Sequence, residues 1–187
     1  MFKLFNDLYK YQSYFIDNSN FLDLLDPFIG ELEAMRLSVS SVAVKEFWKP
    51  LEVEVFHNEG TVDLPDLSIW RLGLVVMTKR AYESLVSLLS PFGEFLPVKL
   101  LGETGYLYHC TNIRQFSDSE VTYRMHGDIF AGVSSLKFSE GFNDHCVTGI
   151  HKVCSDTYFS KEVAMVIKEQ NLTGLLLSDD LTLMAPY

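Results

Sequence analysis

Histidine and cysteine stand side by side twice in this chain, as His109-Cys110 and His145-Cys146, with His151 and Cys154 a short way on. Imidazole next to thiol is the pairing of a nucleophilic cysteine, whose thiolate needs a base or a positive charge close in space. Adjacent residues of a strand point to opposite faces, so neither dipeptide supplies its own dyad. None of the three cysteines carries a known local signature. Cys110 and Cys154 each end an apolar segment, where cysteine behaves as a small buried hydrophobe. His145, Cys146, His151 and Cys154 could gather into one irregular cluster. Their spacing differs from the short paired ligands of structural zinc, so no metal, no disulfide and no cofactor are expected.

Carboxylates offer a second chemistry. Glu52 and Glu54 lie two apart on one strand face, a separation relevant to glycoside hydrolysis. General acid work also requires an apolar pocket that raises one carboxyl, and an alternating edge with outward glutamates is the pattern of a solvated face. Asp179-Asp180 reads as a loop or strand end. No glycine-rich phosphate loop, G-x-S-x-G elbow or H-E-x-x-H helix occurs; Gly102-Glu103-Thr104-Gly105 reads as a turn. Trp48-Lys49-Pro50 and Trp70-Arg71 set aromatics beside cations, with packing expected for Trp48 and a contact role left open for Trp70. The chain is therefore not expected to be an enzyme.

The elements that would position these residues are clearest after residue 50. Leu51–Val55 alternates as a half-buried strand with both glutamates facing water. Gly73–Met77 is a short buried strand, and Thr78 can cap a helix whose apolar stripe is Tyr82, Leu85, Val86 and Leu89. Pro91 and Gly93 end it, and Phe95–Val98 resumes extended chain. The order returns later: extended Ile150–Cys154, a cap at Ser155, a stripe of Tyr158, Phe159, Val163, Val166 and Ile167, then Leu175–Leu177. Tyr106–Cys110, Arg124–Phe130 and Ser134–Phe138 read as further strands. Earlier, Tyr9–Ile16 fits strand or buried helix, and Phe21–Met35 mixes both periods and is broken at Asp26-Pro27 and Gly30. These patterns predict one α+β domain over 1–187, with a mixed or mainly antiparallel sheet and two principal packed helices.

Composition bounds the partners. The 187 residues hold 14 Phe and 9 Tyr, enough large side chains for a packed core, and three cysteines in a chain whose start lacks a signal-peptide pattern. An odd cysteine count points to free thiols in a reducing cytoplasm. No apolar run spans a bilayer, and a net charge of −10 argues against nucleic acid and anionic membrane as partners. Residues 1–66 carry 12 acidic against 5 basic side chains, whereas the longer remainder carries 13 against 10. The acidity is thus concentrated in the first third. Its carboxylates Asp17, Asp23, Asp26, Glu31, Glu33, Glu52, Glu54 and Glu59 are the candidate contacts for a basic partner.

Several segments also resemble a known family. Pro65-Asp66, Gly73–Ala81, Leu88-Leu89 and Glu94–Val98 are similar to bacterial immunity proteins, formerly a domain of unknown function, encoded beside polymorphic or secretion-system toxins. Tyr106-Leu107-Tyr108 with Asn112, Val153-Cys154-Ser155 and Leu172–Leu175 resemble its later units, and Trp48-Lys49-Pro50 its lead-in to the first clear strand. The likeness covers about residues 48–180, with Met77-Thr78 where the family has a serine start, and leaves 1–47 as a variable part. It implies a cytoplasmic binder that neutralises a cognate toxin by occlusion, with no catalytic residues. The alternative is a small cytosolic enzyme using a Cys/His or carboxylate site in a cleft of the sheet.

Overall fold

Hydroxyl caps start the two helices around which the chain folds. Thr78 Oγ1 accepts from the amide of Ala81 at 3.3 Å, and Ser160 Oγ accepts from that of Val163 at 3.3 Å. Each cap satisfies an amide that the first helical turn would otherwise orphan. The computed structural model describes residues 1–57, 60–61, 63–139, 141–151 and 155–183.

Among these residues the elements run β1 (Phe2–Asn6), β2 (Ser13–Phe15), α1 (Asn18–Ile29), α2 (Glu31–Met35), β3 (Glu52–Phe56), β4 (Leu67–Arg71), β5 (Leu74–Met77), α3 (Lys79–Leu89), β6 (Gly93–Leu100) and β7 (Glu103–Cys110). They continue with β8 (Ile113–Gln115), β9 (Val121–His126), β10 (Ile129–Leu136), β11 (Cys146–Ile150), β12 (Ser155–Phe159), α4 (Lys161–Glu169) and β13 (Leu175–Ser178). Six strands pair in the order β2-β3-β6-β7-β5-β4 and five in the order β13-β1-β12-β11-β8, while β9 and β10 form a separate hairpin. Pairing is antiparallel except at β3–β6 and β8–β11. The fold is α+β with mixed, mainly antiparallel sheets and several packed helices.

Three apolar clusters explain this layering. Leu85 and Leu89 of α3 and Val163 and Ile167 of α4 pack on Val75, Met77 and Tyr108 of one sheet and on Leu4 and Phe159 of the other. The opposite face of the six-stranded sheet, through Val76, Leu96 and Leu107, is covered by Phe21 and Leu25 of α1 and Ala34 of α2. The five-stranded sheet turns Val147 and Tyr158 toward Val121 and Val133 of the hairpin.

The two sheets meet at β1 and β4. The Asn6 carboxamide donates to Ile69 O at 2.8 Å and accepts from Ile69 N at 2.7 Å, so a side chain continues the backbone ladder across the seam. Beside it Leu67 N donates to Thr173 O at 3.0 Å. Gly174 has φ 103°, and a Cβ there would lie 2.2 Å from Leu67 O, so only glycine fits this approach. Asp66 locks the seam to the helices. Its carboxylate accepts from Thr78 Oγ1, Arg80 Nη1, Thr173 N and Thr173 Oγ1 at 3.0–3.1 Å.

Four sequence expectations need correction. Ser155 is not a cap but the first residue of β12, and α4 begins five residues later behind Ser160. Tyr158 and Phe159 are both fully buried because they face opposite covered sides of a strand. Two adjacent buried aromatics next to an apolar helix mimic a helical stripe. The span 124–130 is not one strand: β9 ends at His126, and Gly127, with φ 61°, turns the chain into β10. The chain breaks at Gly30, with φ 81°, between α1 and α2 as expected, but not at Asp26-Pro27: α1 continues through the exposed Pro27, which removes one rung from its last turns. That makes α1 a third principal helix. The expected strand over Ile150–Cys154 runs into residues 152–154, which lie outside the described residues.

Candidate functional site

The thiols and imidazoles are distributed by the sheets rather than collected. Cys110 and Cys146 are fully buried in the cluster shared by α3, α4 and both sheets, where the Cys110 thiol donates to Asn112 O at 3.6 Å. Burial pushes the Cys146 thiol well up, while a hydrogen bond from that thiol holds Cys110 below its ordinary value. His109 faces the other side of β7, as strand alternation requires. His145 Nδ1 lies 3.0 Å from Ser160 Oγ, at the start of α4. His151 Nε2 lies 3.2 Å from the Tyr158 hydroxyl and 3.5 Å from Asp156, whose carboxylate also meets Lys3 at 2.8 Å. Among the described residues no group of three or more His, Cys, Asp or Glu side chains is placed to hold a metal ion. Cys154 lies outside them.

The aromatic and cation pairs separate into support and surface. Trp48 donates from Nε1 to Pro97 O at 2.7 Å and meets Phe21 edge-on at 6.2 Å, a packing role as expected. Trp70 is half-buried against Phe21 at 4.9 Å, with the Arg71 guanidinium 4.4 Å over its ring. Arg71 also donates to Asn18 at the start of α1.

The eight candidate carboxylates do not share one surface. Asp17 is the N-cap of α1, its Oδ1 accepting from Asn20 N at 2.9 Å. Glu33 is half-buried and accepts from Ser40 Oγ. Glu52 pairs with Lys99 at 2.8 Å, and Glu54 is exposed on the same side of β3. Between them Val53 packs into the cluster under α1, so both glutamates point to the opposite face of the sheet from the helix. Glu59 lies outside the described residues. Asp23, Asp26 and Glu31 remain, exposed along α1 and α2.

Those three accompany a feature that charge counting did not find. Phe28, Leu32 and Met35 are 52, 62 and 55 % exposed. Phe28 continues the helical stripe of Phe21 and Leu25, but it is exposed and stacks on Phe47, with centroids 4.7 Å apart and rings 7° from parallel. On α2, Ala34 is fully buried, and Leu32 lies two residues away on the outward side. Leu32 and Met35 are three apart, and Glu31 and Met35 four apart, so these side chains are neighbours on one helix face. The result is an apolar surface with a carboxylate beside it, on helices whose water side carries Asp23 and Asp26. Large contiguous apolar patches mark contact surfaces, whereas scattered single exposed residues do not.

The arrangement belongs to the α+β class, and among the described residues no helix is long and apolar enough to cross a membrane. Comparison of the sequence with protein-family models and with curated proteins returns no match.

Proposed function

We propose that the protein binds another protein, a cognate toxin with a basic contact surface, and neutralises it by occlusion, with the α1–α2 face as the docking site. The observation that carries this reading is the exposure of Phe28, Leu32 and Met35 beside Glu31, in the most acidic third of the chain. Apolar anchors at the centre of an interface supply most of the binding energy. Surrounding charge chiefly raises the association rate and selects partners of opposite sign. The resemblance of residues 48–180 to immunity proteins supports the same reading, because such a binder works without catalytic groups.

The experiment is co-expression with the protein encoded beside this one, scored by survival of the host cells, followed by binding kinetics. Leu32→Asp and Met35→Asp should each weaken the complex at least about tenfold, mainly through faster dissociation. Ile129→Asp, at the 73 % exposed residue beyond the hairpin turn, should leave it unchanged. Raising salt should slow association with the wild type. If the Leu32 and Met35 variants protect and bind like wild type, the docking face lies elsewhere. If no neighbouring product binds or is neutralised, the reading as a whole fails.

A further inference from the structure

His109 on β7 is fully buried, and both of its ring nitrogens face acceptors. Nε2 lies 2.9 Å from Leu37 O and 3.1 Å from Ser40 O, and Nδ1 lies 3.2 Å from Glu94 Oε1 on the paired strand β6. A neutral imidazole has one N–H and one lone pair, so either tautomer would set a lone pair against an acceptor. Only an imidazolium donates at both positions. Glu94 is fixed as its counter-charge, because Oε1 also accepts from Val44 N at 2.7 Å and Oε2 from Lys45 N at 3.1 Å.

Of the groups meeting the ring, Glu94 is the titratable one. β5 presents Leu74 opposite His109, and the 37–45 segment presents backbone carbonyls. Lys45 reaches Glu94 through its backbone N–H, while the residue itself is exposed. The ion pair therefore anchors the segment at four backbone groups: the carbonyls of Leu37 and Ser40 and the amides of Val44 and Lys45. The same stretch of chain supports the docking face. Ser40 Oγ donates to Glu33 of α2, and Phe47 stacks under Phe28.

We infer that the His109–Glu94 pair is a buried latch: together the two side chains hold residues 37–47 in place and, through them, set the conformation of the α1–α2 face. Its use in regulating a partner rests on the docking role proposed above. The latch itself does not. Removing either side chain leaves the carbonyls of Leu37 and Ser40, or the amides of Val44 and Lys45, without their buried partners, and the segment is released.

The test needs no partner. In Glu94→Gln and in His109→Phe, protection factors for the Val44 and Lys45 amides should fall at least about tenfold, while Leu107 in mid-β7 keeps its protection. The Met35 methyl and Phe28 ring signals should shift in the same variants. If one variant does not fold, the other carries the test; if neither folds, exchange of the wild-type Val44 and Lys45 amides, which lie outside helix and strand, carries it, and exchange as fast as in an unstructured peptide would overturn the inference. Wild-type protection of these amides in a folded variant would also overturn it, as would Met35 and Phe28 signals that do not move. A latch that behaves as described beside a partner that never binds would refute the docking role alone.

Discussion

Replacing Asp66 by alanine should destabilise the fold by about 3 kcal/mol, far more than a half-surface aspartate commonly does. Its carboxylate receives two hydroxyls, one amide and one guanidinium at 3.0–3.1 Å, and the side chain is 13 % exposed. The Arg80 partner is 54 % exposed, so solvent screens that pair and its share is well under about 1 kcal/mol. The Thr78 hydroxyl, Thr173 hydroxyl and Thr173 amide are better shielded, and bonds to a charged acceptor contribute about 1.5 kcal/mol or more each. They act on one side chain and are not additive, which brings the sum down to about 3 kcal/mol. Asp66→Asn keeps the shape but turns an amide group toward donors, so it should recover only part of the loss. Urea unfolding of the two variants and the wild type measures this directly. An alanine variant within about 0.5 kcal/mol of wild type would mean that the seam between β4, the start of α3 and the end of α4 is held by packing alone.

Two further outcomes follow from the same geometry. Ser160→Ala should cost about 1 kcal/mol in urea unfolding through loss of the α4 cap, whereas Ser155→Ala, at a half-buried strand start, should cost clearly less. Burial alone would raise the Glu94 carboxyl, but hydrogen bonds from His109 and the amides of Val44 and Lys45 outweigh it and hold the group below its ordinary value. A depressed carboxyl stabilises the fold above its unfolded-state value, and that stability is lost as pH falls through the lower folded-state value. The stability difference between wild type and Glu94→Gln, followed by urea unfolding at a series of pH values, should therefore shrink on acidification below the ordinary glutamate range. A difference that stays constant would mean that Glu94 does not gain from its partners.

Local sequence was informative where one face of an element is covered and its ends are marked. Thr78, the stripe through Leu85 and Leu89, and the stop at Pro91 and Gly93 specify α3 without any long-range information. Glu52-Val53-Glu54 specifies a strand by alternation alone. Legibility failed where a buried residue depends on a distant partner. β1 reads Phe-Lys-Leu-Phe-Asn, and its Lys3 is only 6 % exposed because Asp156, far along the chain, neutralises it. Nothing in residues 1–6 announces that partner. The same limit applies to the candidate site. The acid content of residues 1–66 was visible, but Asp17 serves as a cap, Glu33 meets Ser40 and Glu52 meets Lys99. Phe28 shares the stripe of Phe21 and Leu25, so the local pattern does not set its exposure apart from their burial.

The division of labour this implies has a physical basis. The seam at Asn6, Asp66 and Gly174 and the helices α3 and α4 join both sheets into one core that involves neither α1 nor α2. The N-terminal helices instead lie on the outer face of the six-stranded sheet, where Phe21, Leu25 and Ala34 hold them by apolar contact and the 37–45 segment by the buried ion pair. Leu32 points away from Ala34, so its identity changes the exposed surface at little cost to packing. A surface built this way can change its exposed side chains while the core that supports it stays the same. The requirement that survives such changes is the attachment, which is why His109 and Glu94 should tolerate substitution less well than Leu32 or Met35 although none of the four belongs to the seam.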